Sequence, residues 1–173
     1  SEYGTPDSNI FLLSLDAASK PKLIVEEPGP QYGAKFSPDG KWVVYAGDIR
    51  GGQPEIFVRR FDGGAAKWQV SSNGGRAPIW SRQGNEIFFL QDESVMSAKV
   101  LTEGETLSFA APRKLIDMPP GRRHERSVTP YDVSADGSKF LFARQARSSA
   151  DERRINVVLN WSEELKMKVP RGK

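Results

Sequence analysis

Three segments of this chain follow one pattern. They are Phe36-Ser37-Pro38-Asp39-Gly40-Lys41, Trp80-Ser81-Arg82-Gln83-Gly84-Asn85 and Val133-Ser134-Ala135-Asp136-Gly137-Ser138. Each runs from an apolar residue through a serine and two linking residues to a glycine and a polar residue. Each then enters an apolar run: Trp42-Val43-Val44-Tyr45, Ile87-Phe88-Phe89-Leu90 and Phe140-Leu141-Phe142-Ala143. An internal repeat limits the possible folds before any local signal does. The glycines fit tight turns between antiparallel strands, because glycine takes positive φ at no steric cost. Pro38 presets φ ahead of the first turn.

The repeat glycines Gly40, Gly84 and Gly137 are 44 and then 53 residues apart. A four-stranded propeller blade takes about 40–45 residues. The longer interval predicts an insertion over 117–127, where Pro, Gly and Arg crowd together. Short runs rich in Val, Ile, Phe, Tyr and Trp, bounded by turn residues, predict strands in groups. A first pair covers 10–15 and 22–25. Four strands follow at 32–36, 42–47, 55–61 and 67–71, then four at 76–80, 86–91, 95–100 and 113–116. A last group covers 130–134, 139–144 and 154–161. In the run 55–61, alternation sets Ile56 and Val58 against Phe57 and Phe61, so both faces carry apolar groups. A helical turn is predicted at 162–166, with Ser162 as its N-cap.

The motif at 36–41 resembles the repeat of TolB-type β-propellers, marked by an apolar residue followed by Ser-Pro-Asp-Gly-Lys. The copy at 80–85 lacks Pro and Asp, and that at 133–138 lacks Pro. The stretch 31–90 and the tail Ile155-Asn156-Val157-Val158-Leu159-Asn160-Trp161 are most similar to the C-terminal propeller of some bacterial serine/threonine protein kinases. The resemblance implies a fold, and folds of this kind serve many functions. It also implies a periplasmic or extracytoplasmic setting, while the sequence itself leaves the cytoplasm open.

The expected fold is therefore all-β: a β-propeller segment of about three to four four-stranded blades. Its parts are an outer strand pair at 10–25, blades at 32–71, 76–116 and 130–161, and a tail at 162–173, all in one domain. Propellers typically have about 4–8 blades. The two ends cannot share one four-stranded blade if 130–161 supplies three strands. The segment is then expected to belong to a larger ring, or to one closed by self-assembly of two copies.

Composition narrows the function. A net charge of +3 is too small to argue for nucleic acid. No cysteine is present, which removes disulfides and thiolate metal sites. No apolar run approaches the ~20 residues of a membrane helix. His124 is the only histidine, and no Gly-x-Ser-x-Gly elbow accompanies it. One His cannot build a zinc site. Asp132 and Asp136 lack the spacing of a calcium loop. No metal or cofactor is expected.

Asp39 and Asp136, with Gly40, Gly84 and Gly137, read as structural turn residues whose carboxylates accept backbone N–H groups. Gln83 replaces the aspartate in the middle copy, which argues against paired catalytic carboxylates. The glycine pairs 51–52, 63–64 and 74–75 lack a Walker pattern and read as turns. Trp42, Trp68, Trp80 and Trp161 read as packing between sheets. The least ordinary feature is the basic cluster Arg113, Lys114, Arg122, Arg123 and Arg126, with His124 among it. Arg122, Arg123, His124 and Arg126 are the candidate ligand- or partner-binding residues at the ring opening. Against that stands a solvated loop, its arginines paired with Glu125 and Asp117.

The sequence thus points to a non-catalytic binding or scaffold module for protein–protein contact or ligand sensing. Its partner would be a protein or a small anionic ligand at the ring opening, without nucleic acid and without membrane insertion. Two rival classes stay open. One is the gating propeller of a prolyl oligopeptidase-like peptidase, and the other is a glycan-binding propeller.

Overall fold

The computed structural model describes residues 8–15, 19–48, 53–62, 64, 66–103, 106–118 and 129–143. Strands β1 (Ile10–Leu12) and β2 (Lys22–Val25) form an antiparallel pair. Sheet 1 follows as a four-stranded antiparallel meander in chain order: β3 (Gln31–Phe36), β4 (Trp42–Gly47), β5 (Glu55–Arg60) and β6 (Lys67–Gln69). Sheet 2 contains β7 (Arg76–Trp80), β8 (Glu86–Gln91), β9 (Ser94–Glu103), β10 (Thr106–Phe109) and β11 (Arg113–Asp117). A second pair, β12 (Tyr131–Val133) and β13 (Phe140–Phe142), completes the described chain.

The four units stack face to face. Trp42, Val44, Ala46, Ile56 and Val58 of sheet 1 meet Trp80, Ile87, Phe89, Ala98 and Val100 of sheet 2 in one core. Sheet 1 turns Tyr45 and Phe57 the other way, onto Ile10, Leu12, Ile24 and Val25 of the first pair. Sheet 2 turns Phe88, Leu90 and Val95 onto Tyr131, Phe140 and Phe142. Successive side chains of a strand point to opposite faces. Covering both faces therefore makes the central strands apolar without interruption. All six residues of β4 are buried. The split of Ile56 and Val58 from Phe57 agrees with the alternation in the sequence. The protein is all-β, a stack of blade-like sheets with the arrangement of a partial propeller.

The first strands of the two sheets share an irregularity. Register shifts between Tyr32 and Lys35 in β3, and between Arg76 and Ile79 in β7. Gly33 takes φ +67° at the first site, and Ala77 takes φ +52° at the second. A Cβ in this region is strained, at a cost of about 1–3 kcal/mol. The Tyr131 hydroxyl donates to the Ala77 carbonyl at 2.9 Å and ties the last strand pair to that point. Burial pushes the Tyr131 phenol pKa far above its ordinary value, so it stays a donor.

Sheet 2 departs from the expected four strands. β9 is longer than predicted, and β10 is an additional strand. β8 occupies one edge of β9. β10 and β11 lie in tandem along the other edge, with Phe109 opposite Val100 and Arg113 opposite Ser97. Between them the register slips at Ala110-Ala111-Pro112, and proline has no N–H to give to a ladder. The cause of the extension is the alternation Thr106-Leu107-Ser108-Phe109, which buries Leu107 in the inter-sheet core. The strand expected at 154–161, the helical turn at 162–166, Trp161 and the heart of the insertion, 119–128, lie outside the described residues.

Phe89 is fully buried between the two sheets. Phe89→Ala should lower the unfolding free energy by about 3–5 kcal/mol in denaturant titration. Leu15→Ala, at a fully exposed position, should stay within about 0.5 kcal/mol of the parent. Equal effects of the two would contradict the face-to-face packing.

Candidate functional site

The three repeat motifs form the hairpin turns β3–β4, β7–β8 and β12–β13. All three are built alike. The serine N–H donates across the turn, Ser37 to Trp42 O, Ser81 to Glu86 O and Ser134 to Lys139 O, at 2.8–2.9 Å. The glycine N–H donates back to the serine carbonyl at 2.9–3.0 Å. The serine hydroxyl then accepts the amide that opens the second strand: Trp42 N at 2.9 Å, Glu86 N at 3.1 Å and Lys139 N at 2.9 Å. Gly40, Gly84 and Gly137 have φ of 70–74°, the left-handed region in which a side chain is strained.

The residues flanking the glycine complete each turn. Asp39 Oδ1 accepts from Ser37 Oγ at 2.5 Å and from Lys41 N at 3.1 Å. Asp136 Oδ1 accepts from Ser134 Oγ at 2.5 Å and Ser138 N at 3.1 Å, and its Oδ2 from Ser138 Oγ at 2.7 Å. In the middle copy Asn85 takes this part, its Oδ1 accepting from Ser81 Oγ at 3.1 Å. Gln83 is thereby released, and its Nε2 donates to Ala135 O of the third turn at 3.0 Å. The sequence showed Gln83 only as a tolerated replacement. Nothing local in it signals a bond across 52 residues.

The turns line up in a row. A Cβ on Gly84 would lie 3.7 Å from Pro38 Cδ, so the first and second turns are in near contact. Between them opens a cleft of about 360 Å³ lined by Ser37, Asp39, Trp42, Trp80, Gln83 and Thr102, among others. A neighbouring cleft of about 280 Å³ shares Asp39, Trp42 and Thr102 and adds Lys41, Arg60 and Asp62. The Arg60 guanidinium lies 5.6 Å from the Trp42 ring centroid and bonds Asp62 at 2.7 Å. Trp80 is 6% exposed, and its indole N–H has no hydrogen-bond partner among the described residues. Both indoles at the cleft are buried, so neither offers an open face for stacking a sugar ring.

Charge at the row is held by hydrogen bonds. Burial pushes the Asp39 carboxyl up, but hydrogen bonds from Ser37 and the Lys41 amide, with the Lys41 charge, leave it below its ordinary value. Hydrogen bonds from Ser134 and Ser138 lower Asp136 to about 2. Both are ionised near neutral pH.

The basic cluster fares differently. Arg113 and Lys114 lie on β11, at the edge of sheet 2 opposite β7. Lys114 bonds Asp117 at 2.6 Å, and Arg113 comes within 3.6 Å of Glu86. Arg122, Arg123, His124 and Arg126 lie outside the described residues. Asp132 is exposed and accepts from its neighbour Val133 N at 2.8 Å. Among the described residues, no three His, Cys, Asp or Glu side chains gather into a group able to hold a metal ion.

Ser37→Ala removes the acceptor of a buried amide, which costs about 1–3 kcal/mol. Denaturant unfolding should register that loss, and an unchanged midpoint would contradict the turn geometry. The Asp136 carboxyl should titrate near 2 by carbon NMR. Its folded pKa is depressed, so its contribution to stability is complete above the unfolded value near 4 and is lost as pH falls through 2. Asp136→Asn should remove that pH dependence.

No protein-family model matches the chain, and no curated protein does. Among solved structures, a proposed TolB from Agrobacterium tumefaciens is 21% identical with a TM-score of 0.44, over 58% of this chain and 40% of its own. A proposed 6-phosphogluconolactonase from Bacteroides uniformis is 17% identical with a TM-score of 0.48, over 78% of this chain and 40% of its own. The chain thus spans 40% of the length of each. Both likenesses are distant, and the fold rests on the sheets themselves: an all-β stack of blade-like units.

Proposed function

We propose that this protein is a non-catalytic binding or scaffold module, and that it docks a polypeptide partner at the row of repeat turns. The observation that carries the reading is the cleft between the first two turns. It joins an indole floor to a polar lip. The lip residues Gln83 and Thr102 are exposed; Gln83 sits in a turn fixed by its own hydrogen bonds, and Thr102 lies on β9 opposite Leu107. Rigid elements holding exposed turns are the usual platform for recognition.

Two observations favour binding over catalysis. Among the described residues, Asp39 is the one titratable group lining the larger of these two clefts. Its lowered pKa and its use as a turn acceptor suit a fixed charge rather than a proton shuttle. A protein partner also fits better than a small anion, because Arg60 at the cleft and Arg113 and Lys114 on β11 each have an acidic neighbour. An extracytoplasmic setting is part of this reading, on the strength of the repeat resemblance.

The test starts from peptides selected on the immobilised chain by phage display. Their binding should shift the Trp80 indole proton resonance, and Thr102→Arg, which leaves the Gln83 strut in place, should weaken it at least about tenfold. Its melting temperature should stay at the parent value. Selected peptides that bind the variant equally well would overturn the proposal.

A further inference from the structure

We infer that the cleft between the first two turns takes an arginine side chain of the partner polypeptide, its aliphatic stem on the apolar floor and its guanidinium on the Asp39 carboxylate. The inference rests on the docking reading above and names the chemistry that the reading leaves open.

The lip of this cleft is built of acceptors. Asp39 uses Oδ1 for its own turn, where it accepts from Ser37 Oγ and Lys41 N. The residue is exposed, and among the described residues its Oδ2 accepts no hydrogen bond. Gln83 donates its amide nitrogen to Ala135 O of the third turn, which leaves Oε1 as an acceptor. Thr102 is exposed, and its hydroxyl has no partner among the described residues. All three line the one cleft. An ionised carboxylate only accepts, and an amide or hydroxyl oxygen can join it. Lys41 and the Arg60–Asp62 pair line the neighbouring cleft instead. The larger cleft therefore carries a single negative charge flanked by two neutral acceptors.

The floor comes from the lengthened β9 and the additional β10. Val100 and Thr102 are two residues apart on β9, and Leu107 lies opposite Thr102 on β10. These three side chains therefore share the face turned to sheet 1. Val100 and Leu107 are buried in the inter-sheet core. β9 runs on past the start of β8, where Glu86 pairs with Lys99, so Thr102 stands at the rim of the apolar wall.

A cleft of about 360 Å³ has room for one long side chain. An apolar floor below an anionic lip matches a side chain with a methylene stem and a cationic head. The guanidinium presents five N–H groups in a planar fork, so it reaches a carboxylate and nearby neutral acceptors together. Lysine brings only a compact charge on a flexible stem. An isolated surface ion pair contributes little, and the added acceptors and the stem therefore decide for arginine. An acidic side chain would face a carboxylate kept ionised by its turn.

Peptides selected on the immobilised chain that shift the Trp80 indole resonance should share an arginine. Replacing it by citrulline keeps the shape, removes the charge and should weaken binding about tenfold. Asp39→Asn should do the same, and the two changes together should weaken binding no more than either alone. An asparagine retains Oδ1 for the turn, so the variant should melt close to the parent. Asp136→Asn, the same change in a turn that does not line the cleft, should leave the affinity unchanged. Cleft-binding peptides that lack an arginine, or that bind Asp39→Asn as well as the parent, overturn this inference and leave the docking reading standing. Equal weakening by Asp136→Asn overturns it too. Selected peptides that leave the Trp80 resonance unmoved and bind Thr102→Arg equally well overturn both.

Discussion

A sheet that is apolar on both faces cannot stand alone in water. Each face of sheet 1 and sheet 2 holds aromatic and branched side chains, and the cost of exposing either is large against the small net stability of a domain. Stacking follows from that demand. It explains why β4 and β8 read as unbroken apolar runs and why the strands alternate which neighbour they feed. It also explains why the terminal strand pairs matter: they are the partial lids on the two outward faces.

Between the sheets the order is set by polar chemistry rather than by burial. Ser37 and Ser81 are buried, and each hydroxyl supplies the acceptor that a strand-opening amide would lack inside the stack. The carboxylate or amide beside the glycine then orients that hydroxyl. The motif is therefore a hydrogen-bonding device at the first hairpin of each unit. Its variation is informative. Once Asn85 takes over orientation in the second turn, Gln83 becomes a strut to the third, so a residue that departs from the pattern joins two units.

Much of the architecture was legible because it is periodic. The serine–glycine spacing marks the first hairpins, and the alternation around Ile56, Phe57 and Val58 gives the two faces. β10 escaped because Glu103-Gly104-Glu105 reads as a break, and because Thr106-Leu107-Ser108-Phe109 is polar at every second position. The same alternation, with Leu107 and Phe109 set apart, was a usable strand signal. The cleft was not legible in this way. It arises where Pro38 of one unit approaches Gly84 of the next, and pattern within one unit cannot show a gap between two. The Ala77 backbone was equally hidden, since the equivalent position in sheet 1 holds a glycine and alanine gives no sign of positive φ.

The interruption at Ala110-Ala111-Pro112 has a consequence for how this molecule behaves when crowded. A continuous outer strand offers a template on which a foreign chain can zip up and seed fibrils. Here the ladder changes register halfway along, and Pro112 presents no N–H at the break. An incoming strand aligned with β10 would be out of step with β11, so growth on that flank stalls after a few residues. Among the described residues, the β10–β11 margin is thereby a poor template for amyloid-like growth, at the cost of one irregular step in sheet 2.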